Sequence, residues 1–209
     1  MSDLSPVDLW FPVEGTALPA DHGFPLFAAI SRVLPVLHTR EDWALHTLRG
    51  QRTGRGDILL TQRPQLGLRL PPELLGLVLG LIGHTLHVRG HRLILGQPQI
   101  APLAPAPELS ARLVVIQGFD TQDALIDAAA RQLHGMGVTE MRLQAGRRQV
   151  MRVHGQAVVG YGLRVEGLSD EASLRVQAEG LGGRRRFGCG VFRRSFHPLS
   201  QDARPLRVA

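Results

Sequence analysis

Histidine and arginine are the side chains through which this sequence could do acid–base and phosphate chemistry. Three of its nine histidines, His22, His38 and His46, lie in the first quarter of the chain. An imidazole titrates near neutral pH, so each of the three is suited to proton transfer. All 24 cationic residues are arginine, whose planar guanidinium binds phosphate through paired hydrogen bonds. These residue types indicate proton transfer beside a bound polyanion.

The net positive charge is concentrated at the carboxyl end. Residues 1–180 hold 17 arginines and 17 acidic residues, whereas residues 181–209 hold seven arginines and one acid, Asp202. The absence of lysine is explained more simply by a GC-rich genome than by a binding function, because the chain lacks asparagine as well. Codon usage does not explain where the charge lies, and its concentration is typical of a polyanion-binding surface.

The most specific motif is the segment 180–192, GLGGRRRFGCGVF, with five glycines and three consecutive arginines. Glycine lets a phosphate approach main-chain N–H groups closely, and the arginines add charge at the same place. Phe187 or Phe192 could stack on a base. The alternative is a solvated loop with incidental charge.

Two similar sets of elements must position these residues. In the first half, periodicity and caps predict a strand at 8–13 and then a helix at 23–34 capped by Asp21. A strand at 43–48, a loop at 51–56 and strands at 58–61 and 66–70 follow. A second helix after Pro71-Pro72 and a hairpin at 84–95 complete this half. A Pro/Ala-rich connector at 98–107 follows. It separates a predicted domain of residues 1–100 from one of residues 108–209.

The second half repeats the order. The pattern predicts strands at 112–117, 138–143, 156–166 and 187–193, a helix capped by Asp120, and a helix at 170–178 capped by Ser169 or Asp170. Two β-α-β-β-α-β units describe an α+β, tandem ferredoxin-like chain, the fold that RNA recognition motifs share. Fold alone does not assign a function.

Three segments carry a resemblance to a known family. The closing RFGCGVF of residues 186–192 is similar to the pre-crRNA-processing endoribonucleases of CRISPR systems, the Cas-six family. FPVEGTALPADHGFPLFAAISRVLP at 11–35 and LHTLRG at 45–50 resemble a compact subgroup of it. The resemblance covers nearly the whole chain.

This resemblance implies metal-independent cleavage of CRISPR repeat RNA. In such a reaction the ribose 2′-OH attacks the scissile phosphate, leaving a 2′,3′-cyclic phosphate and a 5′-OH. No cofactor is implied, and the expected partners are crRNA and other Cas subunits of an effector complex. Two alternatives stay open: a non-catalytic RNA-binding scaffold of the same superfamily, and a metabolic enzyme on a ferredoxin-like dimer.

The family's catalytic histidine usually lies in or just after the first helix, a place that His38 matches. His46 and His22 are the alternatives. Some members add a Tyr and a Lys, but this chain has no Lys and its single Tyr, Tyr161, lies in the second half. Charge stabilisation therefore falls to arginine, with Arg40 among the candidates. The predicted RNA-binding residues are Gly180, Gly182, Gly183, Arg184, Arg185, Arg186, Phe187, Arg193, Arg194, Arg49, Arg52 and Arg55.

Several other site classes are not expected. One cysteine, Cys189, excludes an internal disulfide and a multi-cysteine zinc site. His84, His87 and His91 are predicted to lie on a solvated hairpin, where alternation points the first two to opposite faces, so we expect no metal site. No apolar run is long enough to span a bilayer, and the amino terminus lacks a signal-peptide pattern. A cytoplasmic protein is predicted.

Overall fold

The computed structural model describes residues 5–195 and the backbone of residues 206–207. The chain divides into two compact units. Of the described residues, the first contains those up to Pro102 together with Arg186–Gly188, and the second contains Leu103–Arg185 and those from Cys189 onward. None of the described helices is long and apolar enough to cross a membrane.

The first unit holds nine strands and three short helices in its described part. The strands are β1 (Val7–Glu14), β2 (Ala17–Pro19), β3 (Ala44–His46), β4 (Gly50–Arg52), β5 (Asp57–Leu60), β6 (Gln65–Leu70), β7 (Thr85–Val88), β8 (His91–Leu95) and β9 (Gln99–Pro102). The helices are α1 (Gly23–Val33), α2 (Val36–Thr39) and α3 (Leu75–Val78), the last flanked by 3-10 turns at Pro72–Leu74 and Leu79–Leu81.

The main sheet of the first unit has the order β3-β6-β1, with β8 and β9 both pairing with the far side of β1. Its β1-α1-β3-β6 order, followed by a helical segment and β9, is the ferredoxin-like arrangement. One core holds the unit together, built from inward residues such as Leu9, Ile30 and Leu68. A small separate sheet has the order β2-β5-β4.

The second unit repeats this plan. Its elements are β10 (Glu108–Val114), α4 (Gln122–Gly135), β11 (Arg142–Val153), β12 (Gln156–Glu166), α5 (Asp170–Glu179), β13 (Arg193–Arg194) and β14 (Leu206–Arg207). A 3-10 turn, Arg185–Phe187, follows α5 in the chain, and its last two residues belong to the first unit. The sheet order is β13-β10-β12-β11-β14. It places the first strand, β10, between the third, β12, and the fourth, β13, as in a ferredoxin-like unit. The predicted α+β fold class is confirmed.

Three predicted strands and two predicted loops need correction. The predicted strand at 187–193 is reduced to Arg193–Arg194, since Gly188 and Gly190 adopt φ of 81° and 64°. β10 begins at Glu108 rather than 112. β11 runs from Arg142 to Val153 rather than 138–143, so most of this strand lies outside its predicted bounds, whereas β12 has the predicted bounds of 156–166. The predicted loop at 51–56 and connector at 98–107 each contain part of a strand, β4 and β9.

Two predicted helix caps were also wrong. His22 rather than Asp21 is the N-cap of α1, and Thr121 rather than Asp120 is the N-cap of α4. Ser169 does cap α5, where its hydroxyl accepts a hydrogen bond of 3.2 Å from the Ala172 amide.

Candidate active site

His46 lies inside a buried charge network of the first unit. Its Nε2 is 3.0 Å from Asp8 Oδ1, and its ring stacks on Trp10 with the centroids 4.8 Å apart. Arg69, only 1% exposed, donates to both carboxylate oxygens of Asp8 at 2.8 Å. β1, β3 and β6 bring the three together because the register pairs Asp8 with Arg69 and Arg69 with Ala44. His46 is therefore held in the sheet rather than presented to a substrate.

The electrostatics of this network favour an ionised Asp8. Burial raises the pKa of Asp8, but hydrogen bonds from His46 and Arg69 outweigh burial and lower it from 3.8 to about 2. A carboxylate held by two partners in this way is typical of a structural ion pair, so the network is better suited to stabilising the sheet than to catalysis.

His22 is also enclosed. It is 3% exposed, and its Nδ1 lies 2.8 Å from the backbone oxygen of Pro19. This contact fixes the turn that enters α1. The structure therefore shows His22 in a structural contact.

Among these three histidines, His38 alone is exposed. It lies on α2, and its ring is 5.5 Å from that of Phe27, centroid to centroid. Leu37, its buried neighbour, anchors α2 in the core, and Trp43 Nε1 donates to the Leu37 oxygen at 3.0 Å. An exposed imidazole on an anchored turn can exchange protons with a bound ligand.

Charged side chains surround the end of α2. Arg40 Nε donates to Asp42 Oδ1 at 2.9 Å, and this hydrogen bond lowers the pKa of Asp42. Glu41 is exposed, and its Oε1 lies 3.5 Å from the guanidinium of Arg186. Arg40 thus keeps a cation near His38, although partly neutralised by Asp42.

The glycine-rich segment does not present its main chain to a ligand as predicted. The amides of Gly180, Gly182 and Gly183 donate to Val176 O, Gln132 Oε1 and Val115 O at 2.8–3.0 Å. Those N–H groups are used within the second unit and cannot cradle a phosphate as they stand. The predicted role of these three glycines is therefore not supported.

Close packing explains the glycines better. Gly190 has φ of 64°, and a Cβ there would overlap the Leu181 oxygen. Gly188 has φ of 81°, and a Cβ there would lie 2.5 Å from Thr47 Cγ2 within the first unit. Only a residue without a side chain fits both positions.

The three consecutive arginines have different surroundings. Arg184 is exposed, with φ of 62°. Arg185 donates to the Ala178 oxygen of α5 at 2.7 Å. Arg186 donates to the oxygens of His38 and Arg40 at 2.6 and 3.0 Å. Of the three, Arg184 is the most accessible to a polyanion.

The aromatic residues of the motif are packed inside the units. The Phe187 ring lies edge-on to Phe24 and Phe27, with centroid separations of 5.2 and 4.9 Å. Phe192 is fully buried in the core of the second unit. Phe192 is therefore not available for base stacking, whereas the half-buried Phe187 remains a predicted RNA contact.

The remaining predicted cations lie on surfaces. Arg49, Arg52 and Arg55 are exposed around β4 and the turn after it in the first unit. In the second unit, Arg193 is half-buried and Arg194 is exposed on β13.

A basic hairpin was missed by the sequence interpretation. Residues 141–165 hold five arginines and no acidic residue, a local excess hidden by balanced charge over residues 1–180. β11 and β12 form a hairpin over these residues that ends at Glu166, and His154-Gly155, with φ of 50° and 82°, joins the two strands. Two of the five arginines, Arg142 and Arg164, lie 3.6 and 3.5 Å from Glu166. A register shift between Ala145 and Arg148 marks a β-bulge, where Arg147 and Arg148 are both exposed. Counting charge in shorter windows would have found it.

The described residues contain no group of three or more His, Cys, Asp or Glu side chains placed to hold a metal ion. His84 and His87 are exposed, and His91 Nε2 lies 3.6 Å from Asp57 Oδ1.

Comparisons with known proteins point in one direction. The sequence model of a family described as Cas6 Crispr matches residues 7–195. A CRISPR-associated endonuclease Cas6 of Myxococcus xanthus is 45% identical over 186 residues, which cover 89% of this chain and 80% of that protein.

Solved structures agree on the fold. The product of a Cas6-related gene from Pyrococcus furiosus superposes with a TM-score of 0.66 at 11% identity, covering 90% of this chain and 98% of that one. A CRISPR-associated protein Cas6 gives 0.64 at 13% identity, covering 91% and 99%. At such identities the likeness establishes the fold and nothing further.

Proposed function

Because this chain belongs to the Cas6 family, we propose that it is an endoribonuclease that cuts CRISPR precursor RNA at its repeats. The 45% identical relative, named as an endonuclease, supports the activity. The observation that carries the assignment of the site is His38, an exposed imidazole on the turn that follows α1. His22 and His46 are enclosed and do not compete for that role.

The chemistry that suits this site needs no metal ion. The 2′-OH upstream of the scissile phosphate gives its proton to His38 as the O2′–P bond forms. The P–O5′ bond breaks in line, and O5′ takes up a proton from solvent. The products are a 2′,3′-cyclic phosphate and a 5′-OH. Since the chain has no lysine, arginine meets the charge that develops on the phosphate oxygens.

RNA binding draws on exposed arginines in each unit. In the second unit these are Arg184 and the hairpin residues Arg147, Arg148 and Arg152. In the first unit they are Arg49, Arg52 and Arg55. The one carboxylate of the hairpin, Glu166, lies at the end of β12 beside Arg142 and Arg164. Arg147, Arg148 and Arg152 lie away from it in sequence and are exposed, so their positive charge suits an RNA backbone.

The decisive assay incubates purified protein with repeat RNA in excess EDTA and analyses both product ends. We expect full cleavage, a cyclic phosphate and a 5′-OH. Cleavage that stops in EDTA and returns with Mg²⁺ would contradict metal independence. Saturated binding with uncut RNA would instead identify a non-catalytic scaffold. With excess RNA, a burst of one cut per protein indicates product retention, as expected of a subunit that stays on its crRNA beside other Cas subunits.

A further inference from the structure

Arg186 contacts the chain at the position where His38 lies. Its Nη1 donates to the backbone oxygens of His38 at 2.6 Å and Arg40 at 3.0 Å. Its Nη2 lies 3.5 Å from Glu41 Oε1. All of these residues belong to the first unit, into which Arg186–Gly188 is built.

These bonds complete the short helix α2. A four-residue helix has few internal hydrogen bonds, and its last carbonyls need outside donors. Trp43 satisfies Leu37, and Arg186 satisfies His38 and Arg40. A guanidinium suits this task because its five donors lie in one plane and can reach two carbonyls at once.

Arg186 is itself held in place. Its guanidinium carbon lies 5.3 Å from the centre of the Phe27 ring, the same ring that packs beside His38. The next residue, Phe187, packs against Phe24 and Phe27. A Cβ on Gly23 would overlap the Phe187 oxygen, so the segment lies directly against the start of α1.

We propose that Arg186 is a positioning residue for His38 rather than an RNA contact. This inference rests on the proposed function of His38. Arg186 fixes the backbone of α2, so that the imidazole meets the ribose hydroxyl in one orientation. Arg184, two residues earlier and exposed, is the phosphate-binding member of the same motif.

The kinetic test compares Arg186→Ala, Arg186→Lys and Arg184→Ala with wild type in single-turnover cleavage of repeat RNA. For Arg186→Ala we expect the rate at saturating protein to fall about 10- to 100-fold, the scale of a small misplacement of a reacting group. RNA affinity should change less than about twofold, and millimolar guanidinium should restore part of the rate.

Arg186→Lys should be impaired too, because an ammonium cannot span both carbonyls in one plane. Arg184→Ala should instead weaken RNA binding. Arg63→Ala, at an exposed arginine outside both sites, should keep both the RNA affinity and the saturated rate.

A second readout does not depend on cleavage. NMR resonances of the His38 ring can be assigned by their loss in His38→Ala. They should shift and broaden in Arg186→Ala. They should not change in Arg63→Ala, the control at an exposed arginine outside both sites. Unchanged His38 resonances, or weaker RNA binding with a normal saturated rate, would overturn the inference. If wild type binds but never cuts RNA, the proposed function fails, and the resonances alone decide whether Arg186 orders His38. Melting temperatures confirm that each variant is folded.

Discussion

His38 and His46 carry the same imidazole in the same unit, yet the fold gives them opposite surroundings. His46 has a carboxylate, an aromatic ring and the sheet around it, whereas His38 projects from a short exposed turn. Their positions in the sequence made both of them candidate catalytic residues. β3 is only three residues long, so its pattern of apolar and polar residues does not show that His46 is buried. The decisive partners, Asp8 and Arg69, lie far away in sequence, so periodicity could not reveal the network.

Removing Asp8 should cost much more stability than removing an exposed paired acid. Asp8→Ala leaves the buried Arg69 without its counter-ion, and we expect a loss of roughly 3–5 kcal/mol in the free energy of unfolding. Asp42→Ala is the matched control, since its ion pair with Arg40 is solvent-exposed and should contribute far less to stability. Urea denaturation measures both. Equal small losses would show that the network does not stabilise the sheet.

The same carboxylate predicts an acid dependence. The pKa of Asp8 in the folded protein is about 2, below its ordinary value of 3.8. The contribution of the ionised carboxylate to the free energy of unfolding is therefore fully present above about pH 4. It is lost as pH falls through about 2, and amounts to roughly 2 kcal/mol. The stability difference between wild type and Asp8→Asn should therefore shrink over that window. A difference that stays constant down to pH 2 would contradict the ion pair.

At the scale of elements, the glycine-rich segment was found in the sequence but its role was misjudged. A run of Gly and Arg indicates a phosphate loop only if the amides are unoccupied, and sequence cannot show where amides donate. Here Gln132 on α4 and Val115 after β10 accept them. β11 shows the reverse error: its bulge and the His-Gly turn after it interrupt the alternation used to predict strands, so most of it was not predicted.

Two glycines of this segment form a matched pair. Gly190→Ala forces a Cβ against the Leu181 oxygen at positive φ and should destabilise the protein by about 1–3 kcal/mol. A Cβ at Gly183 would have no atom within 4 Å, so Gly183→Ala should change the free energy of unfolding by less than about 0.5 kcal/mol. Thermal and urea unfolding compare them. Should both be neutral, the segment is a flexible loop after all.

The hairpin's contribution to RNA binding is a separate prediction. Replacing Arg147 and Arg148 with Ala should weaken repeat RNA binding and lower the slope of log K against log[salt] by about 2, one for each lost phosphate contact. Arg63 and Arg92, exposed on the first unit and assigned to neither site, give a control double variant with the same change in net charge. If both double variants bind alike, net charge rather than the hairpin determines affinity.

For the whole molecule, the repeated order of elements was readable from sequence because each strand and helix leaves a local pattern. Leu66, Leu68 and Leu70 alternate along β6, and Leu26, Ile30 and Val33 recur along α1. The sequence did not predict that Arg186–Gly188 belong to the first unit. That contact links residues almost 150 positions apart, and only the tertiary fold specifies it.

The most direct test of the account is the single-turnover cleavage rate of His38→Ala beside that of His84→Ala, both measured in EDTA at saturating protein. His38 and His84 are both exposed histidines of the first unit, so each change should leave folding and RNA affinity intact. We predict a loss of about 100-fold or more for His38→Ala, the range of general acid–base catalysis, and an unchanged rate for His84→Ala. A His38→Ala protein that cuts repeat RNA at the wild-type rate would contradict the account.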